Sequence, residues 1–425
     1  MNRFKHRHAV RTCRPMLWVL GLWPMIVAAE DRALSLEEAV DRALQQAPRV
    51  AASAAGLDAA VARAPSAGRL PDPELVSGVD NLPVDTAERF SFTRDFMTMR
   101  KIGLIQSLPS GEKRRLQSER ADREIAVAHG EVLKTRYEVA RAAADAWIAR
   151  AVDEESLARL KGLEPDVAVQ AAAGRAALAS GRGSAAEALG GQSLVAALDE
   201  RILALEQDRQ MQRAELTRWI GVDADRPPAG IPTDAELNVT PEALIDSVPH
   251  HPPLAPVVAR LAQAQTDVDL ARADKRPDWS VEADYAQRGP AYSNMVSLEF
   301  HVSLPLFGEY RQNPVIAEKL ARVRAQEAER DDQVRMHTAE IQAELIQWRL
   351  GRERLKHYLA ELLPLARDRS RAAVASYSAG RSDLRGAVDA LTQEIDTQLA
   401  YVQLEGQVAR AWTYLHFLHD SGVSP

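Results

Sequence analysis

The side chains that could do chemistry are not spaced as a catalytic centre requires. No nucleophile motif of the Gly-x-Ser-x-Gly type occurs, and no glycine-rich phosphate-binding loop is present. His250 and His251 lie in a proline-rich linker, where a structural role is expected. His416 and His419 lie one helical turn apart, which suits a metal, but only Asp420 accompanies them. We therefore predict that the protein is not an enzyme and binds neither a cofactor nor a metal.

Acidic residues also occur in two segments where polar and apolar side chains alternate. Glu282 and Asp284 alternate with apolar residues in 278–285, as Glu299 and His301 do in 296–304. Such alternation predicts strands with one apolar and one polar face. A weaker pair of strands is predicted around 75–82 and 102–108. We expect the four named side chains to face a water-filled lumen.

The length of these strands, about nine to eleven residues, matches tilted strands that cross a membrane. A small soluble sheet packed on a core is the alternative, but no amphipathic helix is left to cover its apolar face. Four strands are too few for a barrel, which needs about eight, and an open edge is not tolerated in lipid. The sequence therefore predicts that several chains share one barrel.

Long helices must position these strands. Residues 111–180 favour helix with interruptions near Gly162 and Pro165, and 310–378 favour helix with breaks at Gly351 and Pro364. At 1.5 Å per residue each would be roughly 100 Å long. Shorter return helices follow at 185–220 and 384–418, and 49–68 and 254–274 precede the strands. We expect two short helices, end to end, beside each long one.

These landmarks occur twice, about 200 residues apart, which indicates two copies of one large unit rather than a solenoid. Trp147 corresponds to Trp348, and Trp219 corresponds to Trp412. The predicted domains are a first repeat at 30–222, a linker at 223–238 and a second repeat at 239–420. Residues 421–425 are a short tail.

The composition and the N-terminal residues indicate where the protein is located and which partners it can have. The net charge is −7 although five basic residues precede Glu30, so the remainder is acidic and nucleic acid is not expected as a partner. The basic start and the apolar run that ends at Ala29 predict a signal peptide at 1–29, with a short membrane anchor as the alternative. The single cysteine, Cys13, would be removed with it, so neither disulfides nor a lipid anchor are expected.

The ordered set of motifs resembles the TolC family of outer-membrane efflux channels. It consists of the duplication, the Leu-Pro exits at 108–109 and 304–305, and the turn at 377–380 followed by Val-Asp-Ala-Leu at 388–391. The resemblance implies a mainly α fold with a small β part. It also implies a homotrimer with a 12-stranded transmembrane barrel and a tunnel of antiparallel helical hairpins. Its partners would be outer-membrane lipid, a periplasmic adaptor protein and an inner-membrane pump, of the RND type.

The same resemblance implies a periplasmic gate at the helical turns. Asp389 matches a position where the family commonly places an acidic ring. The chain departs from the best-known pattern, because Gly386 and Ser382 replace an acid and a constraining arginine. We therefore expect a gate made by these residues: Tyr377, Arg381, Asp383, Arg385 and Asp389, with Arg182 and Glu187 from the first repeat.

Residues 70–75, 80–83 and 97–109 resemble the heavy-metal subgroup of the family, the cobalt–zinc–cadmium and copper type. Met97 and Met99 are expected to pack near a barrel rim rather than to bind metal. The predicted function is the outer-membrane channel of a tripartite efflux system that exports solutes, with heavy-metal cations as a candidate cargo. The alternative is a periplasmic coiled-coil adaptor or scaffold that has no membrane barrel.

Overall fold

The computed structural model describes residues 32–85 and 87–419. The predicted signal peptide at 1–29 and the predicted tail at 421–425 lie outside the described residues. The helices are α1 Leu36–Gln46, α2 Pro48–Arg63, α3 Gly111–Ala179, α4 Ala185–Ile220, α5 Pro241–Asp246, α6 Ala255–Ala273, α7 Gln312–His357, α8 Leu363–Ser378 and α9 Leu384–His419. The strands are β1 Glu74–Asp80, β2 Met99–Leu108, β3 Trp279–Gln287 and β4 Met295–Val302. The prediction of a mainly helical chain with four short strands is confirmed.

None of the described helices is long and apolar enough to cross a lipid bilayer.

Helix α3 runs without interruption for 69 residues. Ser110 caps its start, because the Ser110 hydroxyl oxygen accepts a hydrogen bond from the Lys113 backbone N–H at 3.3 Å. The predicted interruption near Gly162 and Pro165 is wrong: both residues lie inside the helix. A proline removes one backbone hydrogen bond, but helices packed along both flanks of α3 hold its axis through this point.

The second long helix is divided once, and Gly351 is not the cause. A π-helical turn, Tyr358–Leu362, separates α7 from α8, and Pro364 is the second residue of α8. Because the proline ring clashes with a carbonyl one turn earlier, the wider turn accommodates it. Gly351 instead lies inside α7, where a Cβ would come within 2.5 Å of a methyl carbon of Val408 on α9. The predicted break at Gly351 is therefore wrong.

The helices pack as four parallel columns. The first column is α2 with α4, the second is α3, the third is α6 with α9, and the fourth is α7 with α8. Each long helix thus has two shorter helices beside it, as the sequence predicts. The two halves of the chain share one packed unit, because α6 and α9 from the second half also pack against α3.

The main core lies where these columns meet the predicted linker. Trp147 of α3 is buried, and its indole N–H donates to the Leu34 carbonyl at 3.1 Å. The Leu34 backbone N–H donates in turn to the Pro227 carbonyl at 2.7 Å. On the other side, the Trp412 indole N–H donates to the Glu236 carbonyl at 3.0 Å. The segment 223–238 is therefore fastened to the core and does not hang between two units.

The strands form one antiparallel sheet in the order β1-β2-β3-β4. Strands β2 and β3 join the halves of the chain, with Gly103 opposite Asp284. A Cβ at Gly103 would lie 2.6 Å from the Asp284 Cβ, so the residue at this crossing must be small. In the described part of the chain no strand pairs with the outer edge of β1 or of β4.

Candidate functional site

The polar face of the sheet gathers the four side chains that the sequence places in a lumen. Strand alternation puts Glu282 and Asp284 of β3 on the same face as Glu299 and His301 of β4. Glu282 lies directly opposite Glu299 in the register, and its side chain is buried. The His301 Nε2 atom is 3.3 Å from a Glu282 carboxylate oxygen and 4.0 Å from a Glu299 carboxylate oxygen.

Strand β2 contributes Lys101 to the same face, and this residue was not predicted from the sequence. Its ammonium nitrogen is 3.4 Å from a carboxylate oxygen of Asp80 on β1. One carboxylate oxygen of Asp284 is buried and has no hydrogen-bond partner. The signal for Lys101 was the alternation of β2, which is weak because Gly103 interrupts it. The face is therefore charged along its length and dominated by carboxylates.

The opposite face is apolar and uncovered. Register pairing aligns Leu75, Leu104, Ala283 and Leu298 across the four strands, one residue from each. The Leu298 side chain is 61% exposed, and the other exposed members are Leu75, Val79, Ile102, Leu104, Trp279, Tyr285, Val296 and Phe300. In the described part of the chain no helix packs on this face. Burial of this surface therefore requires something outside the single chain.

The two hairpin turns of the helices lie side by side at the other end of the molecule. Gly181 and Gly380 both have φ +70°, the left-handed conformation that closes a helix end and that a Cβ disfavours. Leu384, at the start of α9, is buried against Gly174 of α3, where a Cβ would come within 2.8 Å of it. This contact fixes the second turn against the first hairpin.

The predicted gate residues lie at these turns, but some have structural partners. Glu187 forms a capping box with Ser184 at the start of α4. An Asp383 carboxylate oxygen accepts from the Gly386 backbone N–H at 3.1 Å. Tyr377 is half-buried. Arg182 is exposed, and its Nε–H donates to the Ser180 hydroxyl oxygen at 3.2 Å. The remaining residues, Arg381, Arg385 and Asp389, are exposed as well.

A buried polar cluster between the proline-rich segment 249–253, α7 and α9 was not predicted. His251 Nδ1 lies 3.1 Å from His337 Nε2, and the Tyr414 hydroxyl donates to a Glu340 carboxylate oxygen at 2.9 Å. Burial lowers the pKa of His337, although Glu340 opposes that shift. No local pattern predicts this pair, because the two histidines are distant in the chain and meet only through the packing. The prediction of a structural role for His251 agrees with its burial.

The histidine near the C-terminus has a packing role. The His416 ring stacks on the Trp412 ring with centroids 4.6 Å apart.

Buried acids also lie in the helical part. Asp153 of α3 is 8% exposed, and burial raises its pKa to about 6, with a further contribution from Asp208 on α4. Arg410 of α9 opposes the shift. An ionised carboxylate at this position therefore destabilises the fold at neutral pH.

Comparison with known proteins identifies the architecture. Residues 247–419 match the family model described as outer membrane efflux protein. The fold is similar to that of the outer-membrane channel OprN, with 16% identity, coverage of 92% of this chain and 91% of that chain, and a TM-score of 0.79.

Two further solved structures agree. The outer membrane protein VceC from Vibrio cholerae has 18% identity, coverage of 90% of this chain and 95% of that chain, and a TM-score of 0.76. CusC, described in connection with transmembrane channel formation, has 14% identity, coverage of 89% and 90%, and a TM-score of 0.72. No curated protein matches the sequence. At these identities the solved structures establish the fold alone.

Proposed function

We propose that this chain belongs to the outer membrane efflux protein family, whose model matches residues 247–419, and that three copies of it form the outer-membrane channel of a tripartite export system. Members of this family are passive channels in the outer membrane and not enzymes. The observation that carries the proposal is the sheet with one exposed apolar face and one charged face. Such a surface is stable when lipid covers the apolar side and water fills the other.

The open edges of the sheet support assembly from several chains. A sheet edge exposes unpaired backbone N–H and C=O groups, which hydrocarbon cannot satisfy. One chain supplies four strands, fewer than the number that closes a barrel. If β4 of one copy pairs with β1 of the next, three copies form a closed barrel of 12 strands.

The outer helical columns support the same arrangement. On α7, Ile346 and Leu350 are exposed beside a small apolar groove of about 260 Å³ that Pro241 and Trp348 help to line. On α4 in the first column, Leu189 and Leu203 are exposed as well. We propose that the fourth column of one copy packs against the first column of its neighbour, which continues the barrel as a helical tunnel.

We propose that the two helical turns form the closable periplasmic end of this tunnel. Asp389, Arg381 and Arg385 are exposed there, and three copies would bring like charges close to the axis. Tyr377, Asp383, Arg182 and Glu187 complete the group. An adaptor protein and an inner-membrane pump, of the RND type, would dock at this end. Heavy-metal cations are the proposed cargo, which rests on motif resemblance in 70–109.

The assembly is tested by placing a charge on either face of one strand. Leu298→Arg puts a guanidinium on the apolar face near the middle of β4, where lipid exposure costs about 2–4 kcal/mol. Ser297→Arg is the matched control on the polar face of the same strand. Outer-membrane fractions, particle mass in detergent and conductance in planar bilayers are measured. We expect Leu298→Arg to abolish membrane assembly and the control to retain it.

Normal channel formation by Leu298→Arg, or a detergent-independent soluble wild-type protein, would contradict the proposal and favour a periplasmic scaffold. In the same recordings, Asp389→Asn tests the gate, and the expected result is a loss of cation selectivity.

A further inference from the structure

The charged face of the sheet contains one group of side chains with the geometry of a metal site. Glu282, Glu299 and His301 each offer one ligand atom, and these three atoms all lie within 4.8 Å of one another. Three atoms at such separations can all contact one ion at the 2.0–2.2 Å typical of zinc ligands after small side-chain rotations. All three residues come from the adjacent strands β3 and β4, so one chain holds the complete set.

The charges around this group favour a cation. Glu282 and Glu299 are directly opposite in the register, and like charges at such a position destabilise a sheet. The nearby Lys101 is already paired with Asp80, and Asp284 adds a further carboxylate with an unpartnered buried oxygen. The burial of Glu282 strengthens the repulsion, because buried charges are poorly screened. A bound divalent cation would offset it.

The ligand types select the class of metal. An imidazole nitrogen with carboxylate oxygens suits zinc, nickel or copper, whereas magnesium and calcium prefer oxygen ligands alone. The side chains of His301 and Glu299 are 50% and 60% exposed, so an ion can enter from the solvent side. We propose that Glu282, Glu299 and His301 bind one divalent transition-metal ion, of the zinc type, with water as the remaining ligand.

The consequence for transport rests on the proposed channel. In a barrel of three copies, three such sites would line the bore, and bound metal would place positive charge along the path. Conductance of cations should then fall when metal is added. Metal binding itself does not depend on assembly, because a single chain supplies all three ligands.

The test uses Co²⁺ as a spectroscopic probe with the purified full-length protein in detergent. Visible absorbance reports coordination by nitrogen and oxygen ligands, and titration gives the affinity and stoichiometry. His301→Ala and Glu282→Gln each remove one ligand. The control is His357→Ala, because His357 lies 3.6 Å from Glu361 in an exposed pair without a third ligand. Zn²⁺ is then used to displace the probe.

We expect the wild-type protein to bind one Co²⁺ per chain and Zn²⁺ to displace it. The affinity for Co²⁺ should be at least about tenfold lower in both ligand variants, because loss of even an outer-shell partner of a metal ligand typically lowers metal affinity that much. The His357→Ala control should bind Co²⁺ with the affinity of the wild-type protein. Absence of stoichiometric binding, or binding that His301→Ala leaves unchanged, would overturn the proposal and leave His301 as an ion-pair partner only. His301→Gln repeats the test if the alanine variant fails to fold.

Bilayer conductance of the same proteins separates the two proposals. If channels form but Co²⁺ does not bind, the metal site is wrong and the channel stands. If Co²⁺ binds but no channel forms, the proposed function is wrong and the metal site stands.

Discussion

At the scale of single residues, the helical part of the protein contains acids whose burial works against the fold. Asp153 in α3 is the clearest example, because Asp208 adds repulsion and Arg410 offsets it only in part. Its pKa of about 6 lies above the ordinary value of 3.8, so the folded protein binds this proton more tightly than the unfolded chain does. The stabilisation that the protonated Asp153 carboxyl contributes is therefore fully present below pH 3.8 and is lost as the pH rises through 6.

Asp153→Asn should stabilise the protein at pH 8 by about 1–2 kcal/mol, since a pKa raised from 3.8 to about 6 corresponds to at most about 3 kcal/mol. The gain should vanish toward pH 4, where the wild-type carboxyl is protonated. Apparent unfolding temperatures at both pH values measure the effect. Asp199→Asn, at an exposed position of α4, is the control and should change little at either pH. A gain at pH 4 equal to that at pH 8 would refute the argument.

At the scale of elements, close helix contacts depend on individual glycines. Gly130 of α3 lies against the first residues of α6, where a Cβ would be 2.7 Å from the Pro256 nitrogen and 2.8 Å from the Ala255 carbonyl carbon. Both neighbours are backbone atoms and cannot rotate away. Gly162 of the same helix has no atom within 4 Å of the corresponding position. A side chain at position 130 would therefore clash with α6, whereas one at position 162 has free space.

Gly130→Ala should lower the free energy of unfolding by about 1–3 kcal/mol, because α6 must move away from α3. Gly162→Ala should instead raise it by about 0.5–1 kcal/mol, because glycine is a poor residue in a helix interior. Thermal and denaturant unfolding of the two variants in detergent measure both. Equal changes in the two variants would show that the contact with α6 does not limit the residue at position 130.

At the scale of the whole molecule, the chain has apolar surface at both outer columns and an uncovered apolar sheet. Both kinds of surface are left over after the four columns have packed. Helix α3 is flanked on both sides within the chain, whereas α7 is flanked on one side only. Contacts between copies are therefore expected at α7 and not at α3.

Ile346→Glu should weaken the proposed trimer, because it introduces a charge into the apolar groove on α7. The matched control is Val169→Glu, at an exposed position of α3. Particle mass in detergent, measured over a range of protein concentrations, reports the association. We expect the Ile346 variant to dissociate below a protein concentration about tenfold higher than the one below which the control dissociates. This difference is equivalent to about 1.4 kcal/mol. A shift of the same size in the control would refute the interface.

Local patterns determined much of the fold. Period-two alternation placed β3 and β4 within two residues of their observed ends, because one face of each strand is apolar. Helix-favouring sequence placed α3, α4 and α9 equally well. The breaks were predicted wrongly at Gly162, Pro165 and Gly351, because packing between columns overrides the local cost of glycine and proline. The repeat, the domain limits and the gate residues stay predictions.

The sequence by itself established the kinds of element, their order and the amphipathic faces, since these follow from local periodicity. It also placed Glu282, Asp284, Glu299 and His301 on one polar face. Only the tertiary structure decided that Glu282 stands opposite Glu299, that Lys101 joins them, and that His251 meets His337. Those contacts depend on strand register and on helix packing between distant parts of the chain, which no local pattern encodes.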